Sequence, residues 1–152
     1  RLGVVVVTQP RFVFEFGDGY RAALGDERIR LTFPLASLRG LHVAFSSDRP
    51  VTDGAPLLGI AAAVLRRTAS GAPYVREEAV TLEEAVRAYT LGAAYSAFAE
   101  RELGSLEVGK WADFVVLDQD PFEGDPEKVA HIRVIRTVVG GRMVHPSADA
   151  QD

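Results

Sequence analysis

Leu41-His42-Val43-Ala44-Phe45-Ser46-Ser47-Asp48-Arg49-Pro50 is the stretch on which the fold turns. Its first half reads as a short buried strand, and the Ser-Ser-Asp-Arg-Pro run ends it with turn formers. An earlier run has the same shape: Val4-Val5-Val6-Val7-Thr8 is β-branched without polar alternation, and Gln9-Pro10 stops it, since proline cannot donate to a sheet ladder. Strands of this kind suit a parallel sheet covered on both faces. Between them, the aromatic and glycine-rich stretch Phe12 to Tyr20 reads as a loop, and Asp26 as the cap of a short helix running to Leu31.

Downstream of Pro50, Leu57, Leu58, Ile60, Ala61, Val64 and Leu65 recur at helical spacing, which predicts an amphipathic helix ending near Arg67. Thr81-Leu82-Glu83-Glu84 is a capping box, with Leu82, Ala85, Val86 and Tyr89 forming the apolar face of the helix it opens. A further short helix is expected around Ala93 to Glu100. From Gly104 the character changes to strand and turn: Phe114 to Leu117, Val134-Ile135, Thr137 to Val139, then Gly140-Gly141 as a hairpin signal before Met143-Val144. Residues 1–103 therefore alternate strand and helix, and residues 104–152 read as a small all-β unit. Asp113 is expected to order the turn before Phe114.

The chain has 152 residues, 47% of them hydrophobic, with a net charge of −4. That is enough for one ordinary core. The arginines are scattered, with Arg66-Arg67 as the one adjacent pair, so no basic stripe forms and nucleic acid is excluded as a partner. The absence of cysteine removes disulfides, thiolate nucleophiles and cysteine-held zinc, and fits a reducing, cytoplasmic setting. No apolar run approaches the roughly 20 residues a membrane span needs. Arg1-Leu2-Gly3 before Val4 to Val7 is too brief for a signal sequence, and a chain opening inside a strand-like run reads as a piece of something longer.

Two stretches carry a family resemblance. One is Leu41 to Val51. The other is Gly104-Ser105-Leu106-Glu107-Val108-Gly109-Lys110-Trp111-Ala112-Asp113-Phe114-Val115-Val116-Leu117-Asp118, followed by Thr137-Val138-Val139-Gly140-Gly141-Arg142-Met143-Val144. Together they resemble the C-terminal end of the amidohydrolase superfamily, in its amidohydrolase-3 branch. Thr81 to Ala85 and Tyr89 to Ala94 extend the similarity over nearly the whole chain. The resemblance implies an α/β fold: the C-terminal part of a (β/α)8 TIM-like barrel, followed by the C-terminal strands of a small β-sandwich. Val4 to Thr8 would be the seventh barrel strand and His42 to Phe45 the eighth, with Trp111 packed where barrel and sandwich meet.

It also implies one or two divalent metal ions, zinc first among them. The substrate class is a small molecule with a non-peptide, linear amide C–N bond, cleaved by metal-activated hydroxide. Barrel active sites lie at the C-terminal strand ends, where Asp48 stands, and the resemblance assigns Asp48 both metal ligation and proton transfer. A bound cation lowers the pKa of water from 15.7 to about 7, and a neighbouring carboxylate can take the proton and pass it to the leaving amine. The plain alternative is that Asp48 caps the turn before Pro50. Gln9 and Arg49 are the substrate-pocket candidates.

The remaining ligands of such a centre are absent from this chain. The family's His-x-His pair has no counterpart, and His42, His131 and His145 read as structural or solvent-facing. Ser46 stands where the branch carries glycine and Arg49 where it carries tryptophan. The latter exchange puts a cation in place of an aromatic wall, to select an acidic substrate or to face solvent. On this reading the chain is inactive alone and needs the missing N-terminal part of the same protein or a complementing chain. The rival is a truncated, non-catalytic protein that uses its barrel remnant as an interaction surface. A third reading is a complete small α/β domain.

Overall fold

Two short strands pair side by side in the same direction, and the helices are arranged around them. The computed structural model describes residues 3–146. Arg1, Leu2 and the tail from residue 147, with which the two expected segments begin and end, lie outside the described residues. β1 (Val6–Thr8) and β2 (Val43–Phe45) form a parallel pair in the register Val6↔Val43, Val7↔Ala44, Thr8↔Phe45. The parallel pairing expected from the two unalternated runs is thus present. Burial differs between the two strands: Ala44 and Phe45 are enclosed, whereas Val7 is 52% exposed.

The connection between the strands corrects the reading of Phe12 to Tyr20 as a loop. It is a helix, α1 (Arg11–Ile29), interrupted at Gly25 by φ 76° and ψ 166°. Phe12, Phe16 and Tyr20 stand four residues apart and pack edge to face along one side of the helix, with Phe33 closing the row. That spacing outweighs the glycine content. Gly17 is where α1 meets its neighbours: a β-carbon there would lie 2.6 Å from Thr68 and 3.0 Å from the Tyr74 ring. Asp26 follows the break, but its carboxylate accepts a hydrogen bond from Arg21.

α2 (Pro56–Leu65) begins with proline in its first turn and ends at Arg66 in the left-handed region, both ordinary helix boundaries. Its middle, Ile60 to Ala63, is buried, and Ile60, Ala61 and Ala63 share a core with Leu35, Phe45, Val80, Ala85, Ala88 and Val129. α3 (Leu82–Arg87) carries the capping box: the Glu84 amide donates to Thr81 Oγ1, and the Thr81 amide to Glu84 Oε2. A wide π turn over Ala88–Gly92 leads into α4 (Ala93–Ser96).

Glu84 also accepts two hydrogen bonds from Arg39, at 2.6 and 2.8 Å. These bonds, with help from the Thr81 amide, hold its pKa down at about 2 against an ordinary 4.5. A carboxyl depressed in the folded state stabilises fully above its unfolded pKa and loses that contribution as pH falls through the folded one. Melting temperature should therefore decline between about pH 4.5 and pH 2, and Glu84→Gln should flatten that part of the curve. An unchanged acid limb in the variant would show that the pair adds nothing.

The π turn brings the helix against the strand. A β-carbon on Gly92 would collide with the Val43 carbonyl oxygen, a backbone atom that cannot swing aside. Gly92→Ala is expected to destabilise the purified protein by about 2 kcal/mol, the usual scale of overpacking, measured by denaturant unfolding. Wild-type stability would mean that the helix can step back freely.

The last segment is an antiparallel sheet, β3 (Phe114–Leu117), β4 (Val134–Val139) and β5 (Arg142–Pro146), in that order. Gly140-Gly141 forms the β4–β5 turn as expected. Asp113 serves that turn, not the one before Phe114: its carboxylate accepts from the Gly140 amide at 2.6 Å. Trp111, expected at a packed junction, is 59% exposed and lies over Gly140. Phe114, Val115, Val116, Val139, Met143 and Val144 are all exposed, so both faces of this sheet present apolar side chains. Val129, in the turn Pro126–His131, reaches the α2 core, and Arg67 pairs with Glu127 beside it.

Candidate active site

The parallel register sets the ends of β1 and β2 level, so Gln9 and Ser46 leave the sheet together. The Ser46 amide donates to the Thr8 carbonyl at 3.0 Å, and Gln9 Nε2 donates to Ser46 Oγ at 3.0 Å. From below, the Tyr89 hydroxyl donates to the Ser46 carbonyl at 3.4 Å and its ring stands edge-on to Phe45. Burial pushes the Tyr89 pKa up to about 12, the nearby charge of Arg11 pulling the other way. Gly59 makes room for it: a β-carbon there would collide with the hydroxyl.

Two residues further, Asp48 takes φ 53°. Few residues adopt this left-handed conformation, aspartate and asparagine among the readiest. A cis Arg49–Pro50 peptide and a 2.8 Å bond from the Val51 amide to the Asp48 carbonyl close the turn. Thr52, buried, donates its hydroxyl to the Ser47 carbonyl at 2.7 Å. The Asp53 carboxylate accepts from the Ala55 amide at 3.1 Å, just ahead of α2. The Asp48 backbone thus makes the turn while its carboxylate faces solvent and accepts no hydrogen bond from the described residues.

Gln9, at the end of β1, braces Ser46 through that hydrogen bond. Arg49 is exposed and its stem lies on Gly54, where an added β-carbon would stand 3.1 Å from Arg49 Cδ. Arg11, which the sequence reading passed over, starts α1 immediately after the strand end. Its side chain is 14% exposed and bonded to Glu15 at 2.6 Å, its guanidinium lies 4.4 Å over the Phe14 ring, and its Nε has no partner. In the sequence Tyr89 reads as one more apolar helix position. The only signals for these two were position: Arg11 directly follows Gln9-Pro10, and Tyr89 carries a hydroxyl on an apolar face.

No histidine joins this group. His42 stacks on Tyr95, ring centres 3.9 Å apart, at the opposite end of β2, where a cavity of about 430 Å³ opens. His131 and His145 are exposed in the last segment. Asp118 and Asp120 are also engaged: Asp118 binds Arg133, and Asp120 accepts from the Phe122 amide. Among the described residues no cluster of three His, Cys, Asp or Glu side chains could hold a metal ion. Nor is any described helix long and apolar enough to cross a membrane.

Against known proteins, the model of the amidohydrolase family matches residues 1–145. An N-substituted formamide deformylase of Arthrobacter pascens is 36% identical over 143 residues, 92% of this chain and 26% of that protein. YtcJ of Bacillus subtilis, provisionally described as an amidohydrolase, is 33% identical over 150 residues, 95% of this chain and 28% of its own. An uncharacterized metal-dependent hydrolase of Pyrococcus furiosus superposes with a TM-score of 0.67 at 34% identity, covering 80% of this chain and 25% of that one. The chain spans about a quarter of the length of the curated relatives it matches.

Proposed function

The chain belongs to the amidohydrolase family, and we propose that it is the closing quarter of a metal-dependent hydrolase cleaving the C–N bond of a small linear amide. On this reading β1 and β2 are the last two strands of a (β/α)8 barrel, and residues from Gly104 onward contribute strands to a small β-sandwich. What supports it is unfinished surface. β1 and β2 pair only with each other among the described strands, leaving each with a bare edge. The exposed Val7 and the apolar faces of the C-terminal sheet call for cover that upstream polypeptide would provide.

The observation that carries the functional reading is Asp48: a solvent-facing carboxylate at the C-terminal end of a parallel strand, on a turn pinned at Ser47 and Val51. The described residues offer this one donor where a catalytic ion takes about three from the protein. They do not by themselves fit a complete metal site, and the other donors are proposed to come from polypeptide outside this chain. A divalent cation held there would supply the charge that makes water acidic enough to attack at neutral pH. Asp48 would take up that proton and deliver it to the departing amine. Gln9, Ser46 and Tyr89 hold the strand end so that the carboxylate does not drift.

The scarcity of donors also favours a second reading, a non-catalytic protein whose barrel remnant is a docking surface. Intact mass and metal content of the purified polypeptide separate the two. A mass several times 16.4 kDa with stoichiometric zinc or iron is the expected result. A 16.4 kDa polypeptide with no second chain and no metal would keep the fold and remove the catalysis.

A further inference from the structure

Among the described residues, Arg49 is the cation at these strand ends with no ion-pair partner. Arg11, at the neighbouring end, is bonded to Glu15. Asp53, four residues beyond Arg49, is committed to the Ala55 amide. No carboxylate among the described residues lies within ion-pair distance of Arg49, although the chain is acidic overall. Its backbone position is set by the same closed turn that sets Asp48, its immediate neighbour in sequence. The stem rests against Gly54, where an added β-carbon would stand 3.1 Å from Arg49 Cδ, so a bulky branched residue there would crowd it. A guanidinium presents a planar fork suited to carboxylates.

We propose that Arg49 reads an anionic group on the substrate, so that the amide cleaved beside Asp48 is one that carries a carboxylate. The proposal rests on the hydrolase reading above and narrows its substrate class. A neutral amide leaves this cation facing water, whereas a carboxylate-bearing one gains a charge-assisted pair. Such pairs contribute on the order of 10- to 100-fold in affinity.

The test uses the metal-loaded full-length protein and two compounds that differ by one carboxylate, N-formylphenylalanine and N-formylphenethylamine. The expected ratio of kcat/KM favours the acid by roughly 30-fold. Arg49→Met should bring that ratio to about one, and Arg49→Lys should retain part of it. Gly54→Val, which keeps the charge but crowds its stem, should lower the ratio by a smaller factor. Equal turnover of the two compounds by the wild type, or a ratio that Arg49→Met leaves in place, overturns the proposal. Calorimetric titration of the same pair separates this failure from that of the hydrolase reading. If neither compound is hydrolysed but the acid binds more tightly in an Arg49-dependent way, recognition stands and the hydrolase reading falls. No Arg49-dependent difference in binding ends the inference, whatever the turnover.

Discussion

Asp48→Asn is expected to lower kcat/KM for amide hydrolysis by the full-length protein by roughly 10³- to 10⁴-fold, the upper part of the range for loss of a positioned proton carrier. Asparagine is the informative replacement because it separates chemistry from shape. It has the same size, and it adopts the left-handed conformation that Asp48 holds at φ 53° as readily as aspartate does. The turn hydrogen bonds around it use backbone atoms of Ser47, Asp48 and Val51 and the Thr52 hydroxyl, none of which changes. Stability should therefore stay within about 0.5 kcal/mol of wild type, as for an uninvolved surface site. What disappears is a basic oxygen: an amide neither accepts a proton at neutral pH nor neutralises a cation. Metal content should fall together with rate if Asp48 is also a ligand, and rate alone should fall if it only carries the proton. Activity within threefold of wild type, with metal retained, would reduce Asp48 to a turn residue.

The frame that presents Asp48 was legible in the sequence because it depends on local pattern. Val4 to Thr8 and Leu41 to Phe45 are runs without polar alternation, and they pair in parallel. The α2 spacing, the Thr81–Glu84 capping box and the Gly140-Gly141 hairpin are each written in fewer than a dozen neighbouring residues, and each appears where expected. The misreadings came where two local signals competed or where the partner is distant in sequence. Gly17 and Gly19 argued for a loop against the four-residue spacing of Phe12, Phe16 and Tyr20. The helix formed because Gly17 is needed for close approach to Thr68 and Tyr74, more than fifty residues on. Asp113 looked like a turn former for Phe114, yet its partner is Gly140. The site divides in the same way. Asp48 stood out through its place after a strand, while Arg11 and Tyr89 acquire meaning only once Ser46 and the helix are set side by side. Composition and spacing assign no direction to a side chain, so the hydrogen bond from Gln9 to Ser46 becomes visible only in the fold.

Arg66 is the sharpest case of that limit, and Arg66→Ala is expected to produce the largest loss of stability of any change considered, roughly 3–5 kcal/mol. Beside Arg67 it reads as one of two surface cations. Arg67 is one, half-exposed and paired with Glu127. Arg66 is wholly enclosed, with a left-handed backbone at φ 49° ending α2. Its Nε donates to the carbonyls of Tyr74 and Val75, at 3.1 and 3.3 Å, while its own carbonyl accepts from the Tyr74 amide at 2.8 Å. Burial pushes its pKa down to about 10, opposed by the charge of Glu78, so it stays protonated at neutral pH. Glu78 in turn accepts from the amide and hydroxyl of Ser37. Alanine would leave the buried Tyr74 carbonyl and the part-buried Val75 carbonyl without their donor, and a void where the stem lay. Arg66→Met tells the packing from the charge. It refills the stem volume but donates nothing, and should recover about half the loss if the hydrogen bonds to Tyr74 and Val75 matter. Full recovery by methionine in a denaturant titration would mean that the buried charge only offsets its own desolvation. The loop from Arg66 to Tyr74 would then be held by packing against α1 at Gly17, and not by the guanidinium.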